Sequence, residues 1–153
     1  KDDFRYNNDL GGGAMLDLGF YPLSLLVILS KKFQLLDQNI VYNNNIDTSG
    51  SVSAIIDNRI HFKGSWALDS TYENKLEFKS KDFGIKCHRI FSKPYDLETR
   101  ISYHNGKEYK EIRVDADDHF LKMIEAFVTN KNILWTNSDT IKTIDLMDKL
   151  RLK

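Results

Sequence analysis

Asp17, Tyr21 and Ser24 stand at i, i+4 and i+7 in a stretch, residues 11–29, that is otherwise almost wholly apolar (GGGAMLDLGFYPLSLLVIL). On a helix that spacing places all three on one face. A helix apolar on every other side is expected to be buried. A carboxylate and a phenol on its polar stripe then need a partner, a solvent-lined pocket or a ligand. The same residues admit a structural account. Asp17 near a helix start complements the macrodipole, and Tyr21 can be a core tyrosine whose hydroxyl is satisfied by backbone.

Gly11, Gly12 and Gly13 lead into this helix. Three glycines permit positive φ or close backbone approach. They do not make a phosphate loop, because neither G-x-G-x-x-G nor G-x-x-x-x-G-K-[ST] is present. Gly19 and Pro22 lie inside the helical stretch. Pro22 cannot donate to the Leu18 carbonyl and its ring crowds it, so a kink or broken turn is expected near residues 18–22.

The elements that must position this helix follow it. Lys31 and Lys32 suit a helix C-terminus. Period-2 alternation then marks strands over residues 33–42, 51–56, 60–68, 72–79 and 85–91, with Asn43 to Asn45 and Asp57-Asn58 as turns. Asn105-Gly106 is the strongest hairpin signal, between strands at 101–103 and 109–114. Consecutive alternating runs joined by short turns imply an antiparallel meander. Asp115, Asp117 and Asp118 precede a helical stripe of Phe120, Met123, Ile124 and Phe127, and read as helix-start charges rather than a metal site. Ser138 is expected to cap a last helix with Ile141, Ile144, Met147 and Leu150 on its apolar side.

With 153 residues, 22 basic against 22 acidic side chains and 41% hydrophobic content, the chain has the size and composition of one globular domain. The balanced charge gives nucleic acid or an anionic membrane no basic footprint. Residues 14–29, the longest apolar run, fall short of the roughly 18 residues of a membrane span and contain Asp17 and Pro22. The lone Cys87 fits a reducing, cytoplasmic compartment. The chain opens at Lys1 without an initiator Met, and a piece cut from something longer is expected.

Other chemistry finds no residues. His61, His88, His104 and His119 are scattered, with no H-E-x-x-H, so no metal is expected. Cys87 and His88, adjacent on a strand, point to opposite faces. There is no G-x-S-x-G elbow. Trp66 and Trp135 read as core or interface, since no basic groove accompanies them.

Residues 4–22, FRYNNDLGGGAMLDLGFYP, resemble the start of the C-terminal domain of the Gfo/Idh/MocA oxidoreductases. That family's GGG-x-x-x-D-x-G-x-[YH] pattern is matched by Gly11, Gly12, Gly13, Asp17, Gly19 and Tyr21. Asp118-His119-Phe120, leading into Met123, Ile124 and Phe127, also resembles the family's closing portion. The resemblance implies an α+β fold: an open, mainly antiparallel sheet with helices on one face. Residues 1–153 would be a single substrate-binding and oligomerisation domain, lacking the N-terminal Rossmann domain that binds NAD or NADP. It implies Tyr21 as the proton-transferring group and Asp17 as its companion acid. Arg5 is a candidate contact for an anionic substrate group, an exposed loop arginine being the favoured alternative. A phenol is a poor base near neutrality and would need a neighbouring cation, such as the lysine of the missing domain's E-K-P motif. The isolated chain is expected to bind no dinucleotide. The implied partners are a sugar-like substrate, the Rossmann domain and a second copy through the sheet face. A stand-alone binding or oligomerisation module and an NAD-dependent glycosidase of the same fold are the alternatives.

Overall fold

The computed structural model describes residues 3–30, 32–131 and 136–151; Lys31 and Trp135 lie outside the described residues. Two compact units emerge, residues 1–70 with 134–153, and residues 71–133.

In the first unit, two short 3₁₀ turns, Phe4–Tyr6 and Asn8–Leu10, lead to the glycines. A π-helical turn, Met15–Gly19, then runs directly into α1, Phe20–Leu29. The helix is disturbed where Gly19 and Pro22 were expected to disturb it, but by a widened turn and not a break. Pro22 is the third residue of α1, directly after the widened turn, where the regular backbone ladder that a proline cannot join is already interrupted. Three strands follow, β1 (Phe33–Asn43), β2 (Ile46–Ile56) and β3 (Ile60–Ala67), as an antiparallel sheet in the order β1-β2-β3. Both hairpins turn on residues in the left-handed region, Asn44-Asn45 in a two-residue loop and Asp57-Asn58 in the three-residue loop that Arg59 completes. β2 starts five residues earlier than its alternation suggested, because Ile46 and Asp47 are already paired with Asn43 and Tyr42.

The last helix, α3 (Asn137–Arg151), packs against α1 and β1. Its cap is not Ser138. Thr136 accepts from the Asp139 N–H, and the Asp139 carboxylate accepts in return from the Thr136 N–H and hydroxyl. This reciprocal cap stands two residues before Ser138, and the helix begins at Asn137. Its buried face is also rotated from the expected one. Thr143, Leu146, Met147 and Leu150 are inside, while Ile141 and Ile144 are exposed. Thr143 can be buried because its hydroxyl donates to the Asp139 carbonyl.

The core joins Met15, Leu23, Leu26 and Val27 of the helix to Val52, Ala54, Ile56, Phe62 and Trp66 of the sheet and to the α3 face. Each large side chain fully withdrawn from water there contributes roughly 1.5–3 kcal/mol. The helix is not buried all round, as its composition had implied. Leu16, Tyr21, Ile28 and Leu29 remain exposed. With its leading turns, the helical run Asn8–Leu29 is long and apolar enough by composition to cross a membrane, longer than the expected apolar segment. Burial of its core-facing side against the sheet and α3 is how a core helix meets the same criterion.

The second unit is an antiparallel sheet of β4 (Lys75–Lys79), β5 (Gly84–His88), β6 (Thr99–His104) and β7 (Tyr109–Val114), in chain order. The hairpin at Asn105-Gly106 is as expected: the Asn105 side chain accepts from the Lys107 and Glu108 N–H groups, and Gly106 has φ +80°. Helix α2 (His119–Thr129) is capped by Asp118, which accepts from the Leu121 N–H, while Asp117 pairs with Lys122. Asp117 and Asp118 thus serve the helix start. The apolar stripe of α2 is exposed, Phe127 by 80%. The antiparallel strands and the helices packed on one face agree with the expected α+β class; the strands divide into two sheets.

Candidate active site

The glycine turn is built for packing. Gly11 sits at φ +72°. At Gly12 a Cβ would come within 2.6–2.7 Å of the Phe4, Arg5 and Asn7 carbonyl oxygens. The Gly12 and Gly13 N–H groups donate to the Asn7 and Arg5 carbonyls, both at 2.9 Å. Gly13, at φ +126°, faces the carboxylate of Asp47, which a Cβ would strike. Asp47 is 5% exposed and accepts from the Met15 N–H at 2.5 Å. A buried carboxylate therefore occupies the helix N-terminus, where the macrodipole favours negative charge. These N–H groups are committed within the chain and a fixed negative charge stands beside them. A dinucleotide pyrophosphate does not fit here.

Asp47 escaped the sequence reading because it fell in an expected loop, and no spacing pattern marks a carboxylate that reaches a helix start from a strand.

Asp17 lies in the π turn and Tyr21 in the first turn of α1, each partly open to solvent: the Asp17 side chain by 34% and Tyr21 by 37%. The 3₁₀ turns fold Arg5 back over the helix. Its Nε is 2.7 Å from Asp17 Oδ2 and its Nη1 is 3.1 Å from Asp3 Oδ2. The Asp17 carboxylate, with Asp3 second, raises the Arg5 pKa above its already high value. Arg5 is thus an ion-pair partner of Asp17 and not merely an exposed loop cation. Ser24 contributes nothing outward: its hydroxyl donates to the Tyr21 carbonyl at 2.8 Å.

A second phenol lies nearby in sequence. Tyr6 donates its hydroxyl to Asp69 Oδ1 at 2.8 Å, and that bond pushes its pKa up. Tyr6 is held as a donor and is ill suited to give up its proton. An open groove of about 910 Å³ in the first unit lies at the other end of α1, lined by Val27, Ser30, Phe33, Lys142 and Lys149 among others. It includes neither Asp17 nor Tyr21. The chemistry-bearing residue types, not this groove, mark the candidate site. Among the described residues no three His, Cys, Asp or Glu side chains gather as a metal site would need.

No family model matches the chain. Among curated proteins it is 22% identical, over 99% of its length and 48% of the relative's, to a dTDP-3,4-didehydro-2,6-dideoxy-alpha-D-glucose 3-reductase from Actinomadura kijaniata. It is 21% identical, over 98% of its length and 48% of the relative's, to the enzyme of that name from Streptomyces antibioticus. The chain spans about half the length of these relatives. Among solved structures it superposes on a 3-ketoreductase from Actinomadura kijaniata in complex with NADP and TDP-benzene. The TM-score is 0.86 at 21% identity, covering 99% of this chain and 49% of that one. In sequence over nearly its whole length and in fold, the chain is homologous to these sugar-nucleotide 3-reductases, and its resemblance to the C-terminal domain of the Gfo/Idh/MocA oxidoreductases is borne out.

Proposed function

We propose that this chain is the substrate-binding and assembly half of an NAD(P)-dependent oxidoreductase acting on a ketone or hydroxyl of a sugar nucleotide. The observation that carries this reading is the placing of Asp17 and Tyr21. Both sit on the open side of a helix whose other side is core, with Arg5 drawn onto Asp17. The relatives' names supply the substrate class, a dTDP-linked ketosugar, and the solved relative holds NADP. The dinucleotide itself is carried by another part of the parent, since the glycine turn here does not fit it.

When bound, the nicotinamide supplies or accepts hydride at the sugar carbon. The residues of this chain handle the accompanying proton. In reduction, Tyr21 Oη gives its proton to the carbonyl oxygen as that oxygen gains charge, and the resulting phenolate is reprotonated from solvent; oxidation runs the reverse. Asp17, held by Arg5, accepts a hydrogen bond from a substrate hydroxyl and orients the sugar. Arg5 limits the net negative charge that an anionic sugar nucleotide meets. The site of action is cytoplasmic.

In the full-length parent, Tyr21→Phe is expected to lower kcat by at least about 100-fold with cofactor KM unchanged. An undiminished kcat would remove Tyr21 from this role.

The exposed β1 residues Val41 and Tyr42 support a second element of the reading, self-association through the three-stranded sheet. Light scattering of the purified chain tests it, a dimer being expected and a monomer at high concentration counting against it.

A further inference from the structure

The turn that bears Asp17 is π-wound, closed by the Phe20 N–H donating to the Met15 carbonyl. Such turns are rare insertions that concentrate at functional sites. This one has a visible wedge. Trp66 of β3, 6% exposed, lays the ring-fusion edge of its indole on Gly19, where a Cβ would come within 2.9 Å of Cε2. The same edge of the ring presses on Gly50, the residue directly opposite it on β2, where a Cβ would lie 2.5 Å from Cζ2 and 2.7 Å from Cε2. Two residues earlier on β3, Gly64 leaves room for the Pro22 ring, a Cβ there lying 3.0 Å from the proline Cβ. One aromatic plate is therefore gripped between a helix glycine and a strand glycine, and the proline is seated on a second strand glycine. The indole Nε1 is buried without a partner among the described residues. Unpaired buried donors are uncommon and call for an explanation. Here the ring is placed by shape and not by its N–H.

The winding matters for the pair. In an α-helix, residues i and i+4 are turned about 40° from one another. An i→i+5 turn takes more residues per revolution, so it changes the angle between the Asp17 and Tyr21 side chains. We propose that Trp66 is a positioning residue: its indole, wedged on Gly19, holds the π turn and thereby sets the direction of Asp17 relative to Tyr21. This inference rests on the proposed roles of those two residues.

Trp66→Phe removes the ring atoms that reach Gly19 and Gly50 while keeping an aromatic in the core. In the 153-residue chain, backbone NMR of this variant is expected to show the Phe20 N–H bond moved from the Met15 to the Leu16 carbonyl. An unaltered i→i+5 turn overturns the proposal. In the full-length parent, the same variant is expected to lose about 10- to 100-fold in kcat, with cofactor KM unchanged and circular dichroism native. A normal kcat overturns it as well. Tyr21→Phe measured alongside separates the two readings. If Tyr21→Phe is crippled and Trp66→Phe is not, only the positioning role falls. If Tyr21→Phe keeps full kcat, the catalytic reading falls and takes this role for Trp66 with it.

Discussion

The Arg5 guanidinium lies 2.7 Å from the Asp17 carboxylate, tying the chain before the glycine turn to the helix after it. Both groups are partly exposed, so solvent screening leaves the pair little weight in stability. What the pair fixes is the direction of a carboxylate that stands open to solvent beside Tyr21 on the same helix.

Arg5→Gln and Asp17→Asn are therefore expected to leave the melting temperature of the chain nearly unchanged. In the full-length parent, Asp17→Asn should lower kcat about 10-fold or more, a loss in the range of a misplaced substrate. Arg5→Gln should act mainly on substrate KM. A large fall in melting temperature with normal turnover would return Asp17 to a purely structural role.

Asp47 is where the stability of the helix start resides. Asp47→Ala leaves the Met15 N–H unpaired in a fully buried position, and an orphaned buried donor costs about 1–3 kcal/mol. Asp47→Asn keeps an acceptor oxygen and should lose less. Urea unfolding of the two variants checks the order. Equal losses would mean that charge rather than the hydrogen bond is what the site supplies.

How much of this was legible follows from where the deciding contacts come from. Strand faces, the turns at Asn44-Asn45, Asp57-Asn58 and Asn105-Gly106, and the distortion near Gly19 and Pro22 are local events, and local residue types specify them. The Asp118 cap is local too. The π winding was not legible, because Pro22 announces a disturbance without saying how it is resolved; Trp66 and Gly50, far along the chain, resolve it. The rotation of the α3 face depended on Thr143 finding the Asp139 carbonyl, which lets a polar residue displace Ile144 from the core. Asp17 and Tyr21 could be picked out by spacing, yet the Arg5 pairing required the 3₁₀ turns to fold back.

Tyr6 gives the chain an alkaline limit. Its hydroxyl bond to Asp69 raises its folded-state pKa above the ordinary value of 10.0. The group is neutral below its pKa, so the stability it contributes is fully present below about pH 10 and is lost as pH rises through the raised folded value. Melting temperatures between pH 8 and pH 11 should fall more steeply for the native chain than for Tyr6→Phe. Parallel curves would show that the Asp69 bond does not survive in solution.

Cys87 offers a readout of the second unit by itself. It lies within β5, paired with Leu76 on one side and Ile101 on the other, and burial pushes its thiol pKa up. The thiolate is the reactive form, so a raised pKa leaves less of it at any pH below the midpoint. Iodoacetamide should therefore alkylate Cys87 more slowly than glutathione at pH 8, and the rate should go on rising beyond the pH at which the glutathione rate levels off. Partial unfolding in urea should abolish the difference, because the strand then gives up its neighbours. A native-state rate equal to that of glutathione would mean that β5 opens faster than the reagent acts, and that the four-stranded sheet is not closed over Cys87 in solution.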